Sequence, residues 1–568
     1  MPAKELRAVD AVWSGPDQLV VLALDSVGSG GFWTAGIGDG SVRPLPTPQG
    51  ARFVRLLHPP SRAPSIVCLE GIAPGHRPRG PQGRWLDLLR VDTRTGQILS
   101  HIENPGDVVQ WTVDASGTPR LALAVRGNQQ ELRVANPSSS RNAWRTAETF
   151  DLVRDSMAVA GIDSNGGQAW ITARLGRDTL GVHAFDVDRG AFTRTLVSDE
   201  RFDVEGRLLL CESGPVSQSW QRLRTSTLWL DARWTASGQH FAADHSVDVV
   251  PVDVSADGSC AIVEIIRDSQ PPRFAMVFRD EPGRVGWFPT RRSTDPLPGV
   301  PQTPVEFAAR DGQVLTAYLT RPSIAGRGPL LVLAHGGPWS RDVWGWQSEV
   351  QWLASRGWTL LQVNYRGSSG FGRAFQEKPD GNWQDLPVAD LLEGARWAIR
   401  QGLADPAATA VAGSSFGGSL TLPALARSDT SFRAGVSLEG AFDLQSWLRS
   451  SCRQAPPYLC AIERWRLGGS RGLNSWNPRR QLLDLQFPLL LLHAEDDTVV
   501  PISQSIRLAA TALDLASPVT LRRIPKGGHT LGSPQEQAAT WIAAEEFLIQ
   551  TLGIRGFEPQ TQCTSLMP

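Results

Sequence analysis

Hydrophobic and polar positions follow two different patterns along the chain, and the change falls near residue 300. Before that point, short apolar stretches such as DQLVVLALD and TPRLALAV are separated by turns rich in Asp-Gly and Thr-Gly. Beyond it, continuous apolar runs such as PLLVLA alternate with amphipathic segments such as VADLLEGARWAIRQ. The first pattern is typical of antiparallel strands, and the second is typical of buried parallel strands connected by helices.

A loose unit recurs in the N-terminal half at intervals of roughly 40–55 residues, which is the range for four-stranded propeller blades. The unit contains a strand, an Asp-containing turn with glycine and further strands, as in VDASGTPRLALAV and VDVSADGSCAIVEI. It predicts an all-β propeller of six or seven irregular blades over residues 1–295. Because the repeat is degenerate, an irregular pair of β-sandwiches stays open as an alternative.

The second half is predicted to be a separate α/β domain over residues 296–568. The segment RRSTDPLPGVPQTP (291–304) is rich in proline and polar residues, which predicts a hinge between the two domains. The strands and helices that follow alternate regularly, which predicts a doubly wound and mostly parallel sheet.

Charge and hydropathy exclude several classes of function. The net charge of −1 gives no indication of a nucleic-acid or membrane-surface partner. No apolar run approaches the about 18 residues of a membrane span. The N-terminal sequence MPAKELRAVD has no apolar core of a signal peptide, so we expect a cytoplasmic protein, although a trimmed secreted chain would look the same.

The cysteines give no indication of a metal site. Six are scattered along the chain without the spacing of metal ligands, so we expect reduced, buried thiols and no metal. Cys452 and Cys460 are close enough in sequence to pair, and a disulfide between them stays open as the alternative.

The stretch TAVAGSSFGGSL (409–420) contains the pattern G-x-S-x-G between a buried strand and the start of a helix. In the frame from Gly413 to Gly417 the central serine is Ser415. A sharp strand-to-helix turn exposes the hydroxyl of this serine and leaves no room for side chains two residues before and after it. The pattern predicts Ser415 as a nucleophile in an α/β-hydrolase domain, and it predicts that Ser414 has no exposed hydroxyl.

A serine nucleophile needs a base and an acid, which follow it along the chain in the order acid, then histidine. Of the two histidines after Ser415, His493 ends a strand, whereas His529 lies in a loop after the last strand. We therefore predict His529 as the base. The loop HAEDDTVVP offers the acid, and counting from its ends selects Asp497, with Asp496 as the alternative.

The oxyanion of an acyl-transfer intermediate needs two hydrogen-bond donors. The backbone N–H of Phe416, directly after the nucleophile, is one candidate. The loop HGGPWS after the strand PLLVLA offers the other, and we favour the N–H of Gly337, with Gly336 as the alternative.

Taken together, five motifs resemble the prolyl oligopeptidase family of serine peptidases, and the resemblance covers roughly residues 304–550. The motifs are HGGPWS, NYRGSSGFGRAF, GSSFGGS, HAEDDTVVP and GGH. The subgroup that they resemble most is the bacterial acylaminoacyl-peptidase-like one. The resemblance implies a propeller that caps an α/β-hydrolase domain, short peptides as substrates and no cofactor.

The departures from the family pattern concern specificity. His335 stands where some members have a tyrosine that serves the oxyanion, so a backbone amide must act here. Thr498 follows the acid where prolyl oligopeptidases have an arginine, which makes strict proline specificity doubtful. Dipeptidyl aminopeptidases bind a free amine with a glutamate pair of the propeller, whereas the only such pair here is Glu545-Glu546 in the closing helix.

The substrate pocket is the least readable part of the sequence. Trp339, Trp344 and Trp346 follow the oxyanion loop and are candidates to line an apolar pocket, with packing under the propeller as the alternative. Residues 449–475 are a second candidate for the rim of the pocket.

Three hypotheses about function follow from these motifs. The first is a serine peptidase for short peptides, with the propeller restricting substrate size. The second is an esterase or isopeptide-cleaving hydrolase with the same triad. The third is a non-catalytic propeller protein with a relic hydrolase domain, against which the complete set of motifs argues.

Overall fold

The computed structural model describes most of the chain. The described residues are 7–14, 18–24, 30–36, 39–57, 65–75, 85–135, 144–155, 157–242, 244–289, 299–322, 326–455 and 457–554.

Within these ranges, the N-terminal half forms six antiparallel sheets. The first three sheets are formed by β1 (Arg7–Trp13), β2 (Gln18–Leu24), β3 (Gly30–Gly36) and β4 (Val42–Pro44); by β5 (Arg52–Leu56), β6 (Ile66–Ile72), β7 (Asp87–Asp92) and β8 (Ile98–Ile102); and by β9 (Val108–Val113), β10 (Pro119–Arg126), β11 (Gln129–Ala135) and β12 (Trp144–Asp151). The other three are formed by β13 (Met157–Ile162), β14 (Gln168–Ala173), β15 (Gly181–Asp186) and β16 (Ala191–Ser198); by β17 (Leu208–Cys211), β18 (Gly214–Gln221) and β19 (Thr225–Trp229); and by β20 (Asp248–Val254), β21 (Cys260–Ile266), β22 (Arg273–Phe278) and β23 (Val285–Trp287). A helix, α1 (Thr235–Ala242), follows β19.

The six sheets are the blades of a propeller. The first strand of every sheet lines one central cavity of about 690 Å³, and the polar residues on its wall include Arg55, Glu70 and Arg207. The prediction of an irregular propeller is confirmed with six blades, and the alternative of paired sandwiches is wrong.

Burial along single strands explains why the blades form. In β21, the sequence CAIVEII alternates between buried and half-buried positions, so that Ala261, Val263 and Ile265 face the hydrophobic core. This period of two is the pattern expected of a strand in a stacked antiparallel sheet.

The C-terminal half contains an eight-stranded sheet with strand order β24-β25-β27-β26-β28-β29-β30-β31. Its strands are β24 (Gln302–Ala308), β25 (Val314–Thr320), β26 (Gly328–Ala334), β27 (Thr359–Asn364), β28 (Ala404–Ser414), β29 (Ala434–Leu438), β30 (Leu489–Ala494) and β31 (Val519–Ile524). The helices are α2 (Ser348–Ser355), α3 (Arg373–Glu377), α4 (Leu386–Arg400), α5 (Phe416–Leu425), α6 (Leu444–Gln454), α7 (Pro457–Arg466), α8 (Gly469–Ser475), α9 (Pro478–Leu483), α10 (Ser503–Asp514) and α11 (Pro534–Leu552). Pairing is antiparallel from β24 to β27 and parallel from β27 to β31, which confirms the mostly parallel α/β-hydrolase sheet.

Helices cover both faces of this sheet. In β26, Leu330 and Val332 belong to the hydrophobic cluster on one face, whereas Leu331 belongs to the cluster on the other. A strand buried on both faces reads as a continuous apolar run, which is why PLLVLA carries no polar position.

The two domains meet along a loop of the hydrolase domain that contains Gly370 and Gly372. The backbone N–H of Asp203 donates to the carbonyl of Gly370 (3.0 Å), and the N–H of Ala374 donates to the carboxylate of Asp178 (2.8 Å). On another part of the interface, the hydroxyl of Tyr318 donates to a propeller carbonyl (2.9 Å). The propeller is therefore attached through several hydrogen bonds beyond the connecting chain.

Three further sequence-based expectations concern the fold. The predicted boundary between residues 295 and 296 lies in the segment 290–298, outside the described residues. Within the described ranges, no helix is long and apolar enough to cross a membrane. The expectation of reduced cysteines is wrong for Cys452 and Cys460, which form a disulfide because the end of α6 and the start of α7 lie side by side.

Candidate active site

Ser415 lies at the turn between β28 and α5. Its backbone φ of 55° is positive, which is uncommon for a residue with a side chain, and its N–H donates to the carbonyl of Leu438 (2.8 Å). Phe416 is the first residue of α5, where a backbone N–H has no partner within the helix. The turn therefore places the hydroxyl of Ser415 next to the backbone N–H of Phe416, which has no partner within the helix.

The two glycines of the turn are required by close backbone contacts. A Cβ at Gly413 would lie 2.4 Å from the carbonyl carbon of Gly417, and a Cβ at Gly417 would lie 2.0 Å from the carbonyl oxygen of Ala334. Both distances are far below van der Waals contact, so no side chain fits at either position. The spacing G-x-S-x-G is thus explained by the packing of the turn against the end of β26.

Ser414 is exposed, so the prediction that it has no exposed hydroxyl is wrong. It is the last residue of β28 and lies at the carboxyl end of that strand, between β26 and β29. Ser415, which is partly exposed, is nevertheless the serine whose Oγ contacts a histidine.

His529 lies in a short 3-10 turn, Gly528–Thr530, after β31. Its Nε2 is 2.9 Å from Oγ of Ser415, and its Nδ1 is 2.7 Å from Oδ2 of Asp497. The side chain of His529 is 17% exposed, whereas that of Asp497 is fully buried. Two hydrogen bonds therefore connect the buried carboxylate of Asp497, through the imidazole of His529, to the hydroxyl of the partly exposed Ser415.

Asp497 is held in place by its own loop. Its Oδ1 accepts hydrogen bonds from the N–H groups of Val499 (2.8 Å) and Val500 (2.9 Å). Burial alone would raise the pKa of this carboxyl, but the neighbouring imidazoles of His493 (3.4 Å) and His529 (2.7 Å) and the N–H of Val500 outweigh it and lower the pKa below its usual range. Asp497 is therefore ionised throughout the physiological pH range.

Asp496, the alternative acid, and His493, the other histidine after Ser415, have different hydrogen-bond partners. Asp496 is exposed, and its Oδ1 accepts the N–H of Gly528 (2.8 Å), so it holds the loop of His529 rather than the imidazole. His493 is fully buried, with Nδ1 2.8 Å from Oγ of Ser505 and Nε2 2.8 Å from the carbonyl of Val500.

The loop after β26 lies directly against the serine. A Cβ at Gly336 would be 3.4 Å from Cβ of Ser415 and 3.3 Å from the carbonyl of Ser414. Gly337 is exposed, has a positive φ of 121° and donates no backbone hydrogen bond to the described residues. The loop thus brings the backbone of Gly336 next to the serine, and the N–H of Gly337 beside it donates to no backbone carbonyl of the described residues. The choice of Gly337 over Gly336 as the oxyanion donor stays a prediction.

All three tyrosines of the chain lie in the described ranges, and each has contacts other than with Ser415. The hydroxyl of Tyr365 donates to the carbonyl of His335 (2.8 Å), and the ring stacks on that of His335 at 4.2 Å. Tyr318 is bound to the propeller, and Tyr458 stacks on Trp85.

The three tryptophans proposed as pocket residues fall in different places. Trp339 forms an edge-to-face contact with Trp383 (6.2 Å), which in turn contacts Phe416 (5.5 Å). Trp344 is only 4% exposed and lies under the propeller, with the guanidinium of Arg224 at 3.8 Å from its ring, which favours the packing alternative for Trp344.

The indole N–H of Trp346 donates to Oγ of Ser348 (3.2 Å), and Trp346 has no ring contact with the aromatic group around Phe416 among the described residues. The large indole of Trp344 is buried because β24 and the propeller cover it, and its N–H donates to the carbonyl of Gln302 (2.8 Å). For these two tryptophans the packing alternative describes the structure better than a pocket does.

Several residues beside the serine were missed by sequence reasoning. Trp383 and Trp476 both contact the ring of Phe416, at 5.5 and 6.1 Å. Arg466, within the rim candidate 449–475, lies over the ring of Trp339 (4.8 Å) and donates to the propeller carbonyl of Val153 (3.2 Å). The abundance of tryptophan was the only signal for this aromatic group, and it does not identify single positions.

Glu439 was also missed, although it is the second carboxyl beside His529. Its Oε2 is 3.7 Å from Nδ1 of His529, and ligand-type atoms of Glu439, Asp497 and His529 lie within 4.8 Å of one another. Because both ring nitrogens of His529 already have hydrogen-bond partners, the chemistry of this set fits a histidine oriented by a carboxylate better than a metal site.

Comparisons with known proteins indicate a single family. The family model of the prolyl oligopeptidase family matches residues 344–555. Dipeptidyl aminopeptidase BIII of Pseudoxanthomonas mexicana is 30% identical over 498 residues, which cover 83% of this chain and 70% of that enzyme. The acylamino-acid-releasing enzyme of Rattus norvegicus is 24% identical over 323 residues, which cover 53% of this chain and 44% of that enzyme.

Solved structures share the two-domain fold. A puromycin-hydrolyzing peptidase of Mycobacterium tuberculosis has a TM-score of 0.74 at 21% identity and covers 98% of this chain and 87% of its own. An acylaminoacyl peptidase of Pyrococcus horikoshii has a TM-score of 0.67 at 18% identity and covers 97% of this chain and 90% of its own. At 18–21% identity, these similarities support a shared fold and nothing more specific.

Proposed function

Since the chain belongs to the prolyl oligopeptidase family and is a serine-type peptidase, we propose that it hydrolyses short peptides through an acyl-enzyme on Ser415. The observation that carries this proposal is the unbroken set of hydrogen bonds from Asp497 through His529 to Oγ of Ser415, with lengths of 2.7 and 2.9 Å. Nucleophile, base and acid in this arrangement are what acyl transfer requires.

In the first half of the reaction, Nε2 of His529 takes the hydroxyl proton of Ser415 as its oxygen attacks the scissile carbonyl carbon. The imidazolium that forms is stabilised by the carboxylate of Asp497, which keeps its negative charge throughout. His529 then gives the proton to the leaving amine, and the acyl group stays on Ser415. Water repeats the sequence and releases the acid.

The oxyanion of each tetrahedral intermediate is bound by the backbone N–H groups of Phe416 and Gly337. Support comes from the helix start at Phe416 and from the exposed N–H of Gly337, with Gly336 retained as the alternative. Such donors act most strongly where water is excluded, and one of them contributes about 3–4 kcal/mol to transition-state stabilisation in a well-studied protease.

Residues 1–295 act as a cap that restricts substrate size, and residues 296–568 carry out the chemistry. This proposal is supported by the contacts of Arg466, whose guanidinium reaches both Trp339 beside the serine and the propeller carbonyl of Val153. A folded protein cannot pass between domains in contact at this point, whereas an extended peptide can enter through an opening of the interface.

Labelling with a fluorophosphonate probe tests the nucleophile, and the neighbouring serine provides a matched control. Ser414 is exposed, and the hydrogen-bond partners of His529 among the described residues are Asp497 and Ser415, so Ser414→Ala should still be labelled and should still hydrolyse a fluorogenic peptide. Ser415→Ala should lose labelling and several orders of magnitude in kcat. Labelling of Ser415→Ala with loss in Ser414→Ala would contradict the proposal, and no labelling of either parent or variant would indicate a relic domain.

A substrate panel tests the substrate class and the cap. We expect cleavage of acyl-blocked and free-amine dipeptide amides to exceed that of simple esters, and cleavage to fall steeply with peptide length and to be negligible on casein. The name of one relative refers to dipeptides and that of another to acylated amino acids. The rate on the free-amine dipeptide amide divided by the rate on the acyl-blocked one therefore decides between dipeptidyl aminopeptidase and acylaminoacyl-peptidase activity. Faster ester than peptide cleavage would favour the esterase, and brisk casein digestion would show that the cap does not restrict size.

A further inference from the structure

Glu439 directly follows β29, the strand that lies between β28 and β30 in the sheet. Ser415 follows β28 and Asp497 belongs to the loop after β30, so three neighbouring strands end beside His529. The N–H of Glu439 donates to the carbonyl of Leu492 in β30 (2.9 Å). The position of Glu439 is therefore fixed by the sheet itself.

The backbone of Glu439 adopts a conformation that is uncommon for a residue with a side chain. Its φ is 54°, a value that glycine adopts readily and that glutamate rarely adopts. A glutamate at such a position, rather than a glycine, indicates that the carboxyl group has a use there.

The carboxyl of Glu439 is enclosed next to the acid–histidine pair. The residue is 1% exposed, and Oε1 is buried without a hydrogen-bond partner among the described residues. Oε2 lies 3.7 Å from Nδ1 of His529, about one ångström farther than the oxygen of Asp497 that occupies this nitrogen. A small side-chain rotation would bring Oε2 within hydrogen-bond distance.

The charges around Glu439 keep it neutral while Asp497 is ionised. Burial and, next to it, the negative charge of Asp497 raise the pKa of Glu439 to about 9, with a smaller contribution from Asp496. The other titratable groups that face this cluster are His529 and, through Asp497, His493. Two carboxyls thus share one imidazole and have pKa values on opposite sides of neutrality.

We propose that Glu439 is a reserve acid for His529, a positioning residue that is neutral beside ionised Asp497 and becomes the partner of Nδ1 when that carboxylate is absent. In that state Glu439 loses its proton to water, and its carboxylate accepts the N–H of the imidazolium. The inference rests on the proposed function, because it assigns Glu439 a role through His529.

The test compares Asp497→Asn with the double variant Asp497→Asn/Glu439→Gln in the full-length protein, using a fluorogenic peptide. Loss of the acid costs about 10⁴ in kcat in the best-studied triad. Here we expect Asp497→Asn to lose only about 10², and the double variant to lose about 10⁴. Glu439→Gln alone, which replaces one neutral group by another, should lower kcat less than about tenfold.

The pH profile provides a readout that a purely structural role would not change. Removal of the Asp497 charge lowers the pKa of Glu439 from about 9, since that charge is one of the causes of its rise. The remaining activity of Asp497→Asn should therefore increase as the pH rises toward 9, because the carboxylate is the active form. The double variant should lack this increase.

Equal activity and equal pH profiles of Asp497→Asn and the double variant would overturn the proposal. If the double variant does not fold, as judged by its melting curve, Asp497→Asn/Glu439→Asp replaces it, because the shorter acid does not reach Nδ1 and should lose the same remaining activity. Failure of the proposed function has a different signature, in which Ser415→Ala retains the activity of the parent chain.

Discussion

The carboxyl of Asp342 should make the stability of the protein depend on pH, and replacing it by asparagine should remove that dependence. Oδ1 of Asp342 accepts a hydrogen bond from the amide of Gln362 (3.0 Å), while Oδ2 is buried without a partner among the described residues. Burial raises the pKa of Asp342 from 3.8 to about 7, although the hydrogen bond from Gln362 opposes the rise.

The magnitude follows from the size of this rise. One pH unit of pKa corresponds to about 1.4 kcal/mol, so a rise of roughly three units gives at most about 4 kcal/mol. The folded state binds this proton more tightly than the unfolded state. The contribution of Asp342 to the free energy of unfolding is therefore highest below pH 4 and falls as the pH rises to about 7. Asp342→Asn should therefore raise the free energy of unfolding at pH 8 by about 2–4 kcal/mol and change it little at pH 4.

Urea unfolding of the full-length protein at pH 4 and pH 8, followed by tryptophan fluorescence, measures this difference. Asp514→Asn is the matched control, because Asp514 is exposed at the end of α10 and should give the same result as the parent chain at both pH values. An equal effect of Asp342→Asn at both pH values, or a loss of stability at pH 8, would refute the reasoning.

Two further changes test the packing around the nucleophile. Gly417→Ala should abolish fluorophosphonate labelling and destabilise the protein by about 3 kcal/mol or more, because the new Cβ would lie 2.0 Å from the carbonyl oxygen of Ala334. The control is Gly532→Ala, whose Cβ would lie 3.7 Å from the nearest atom and which should be tolerated in the same labelling and melting assays. Trp339→Ala should raise KM for a peptide by roughly tenfold through lost contact area beside the serine, whereas Trp346→Ala should change KM little; equal effects of the two variants would contradict the assignment of Trp339 to the pocket.

The order and loop positions of the site residues were predictable because chain topology determines them. Parallel strands end at one edge of the sheet, so the loops after β28, β30 and β31 had to bring Ser415, Asp497 and His529 near one another. The glycines around Ser415 were predictable for a local reason, since the turn has no room for side chains.

The side chains that surround the serine depended on contacts between distant segments, which periodicity does not reveal. Trp344 follows the oxyanion loop closely in sequence, yet it is buried by β24 and Arg224 of the propeller. Trp383 and Trp476 are far from each other in sequence, yet both contact Phe416. The pairing of Cys452 with Cys460 likewise depended on how two helices meet.

Backbone conformation connects the nucleophile with the proposed reserve acid. Ser415 and Glu439 follow adjacent parallel strands, and their φ values of 55° and 54° are nearly the same. Each is next to or near glycines that cannot carry a side chain, since a Cβ at Gly440 would lie 2.5 Å from Oγ of Ser437 and 2.9 Å from the carbonyl carbon of Gly418. The same close approach of α5 to the sheet that turns Ser415 outward therefore also constrains the segment after β29. A change that loosens this contact should disturb the positions of both side chains together, so the two strained residues are best understood as one structural unit around His529.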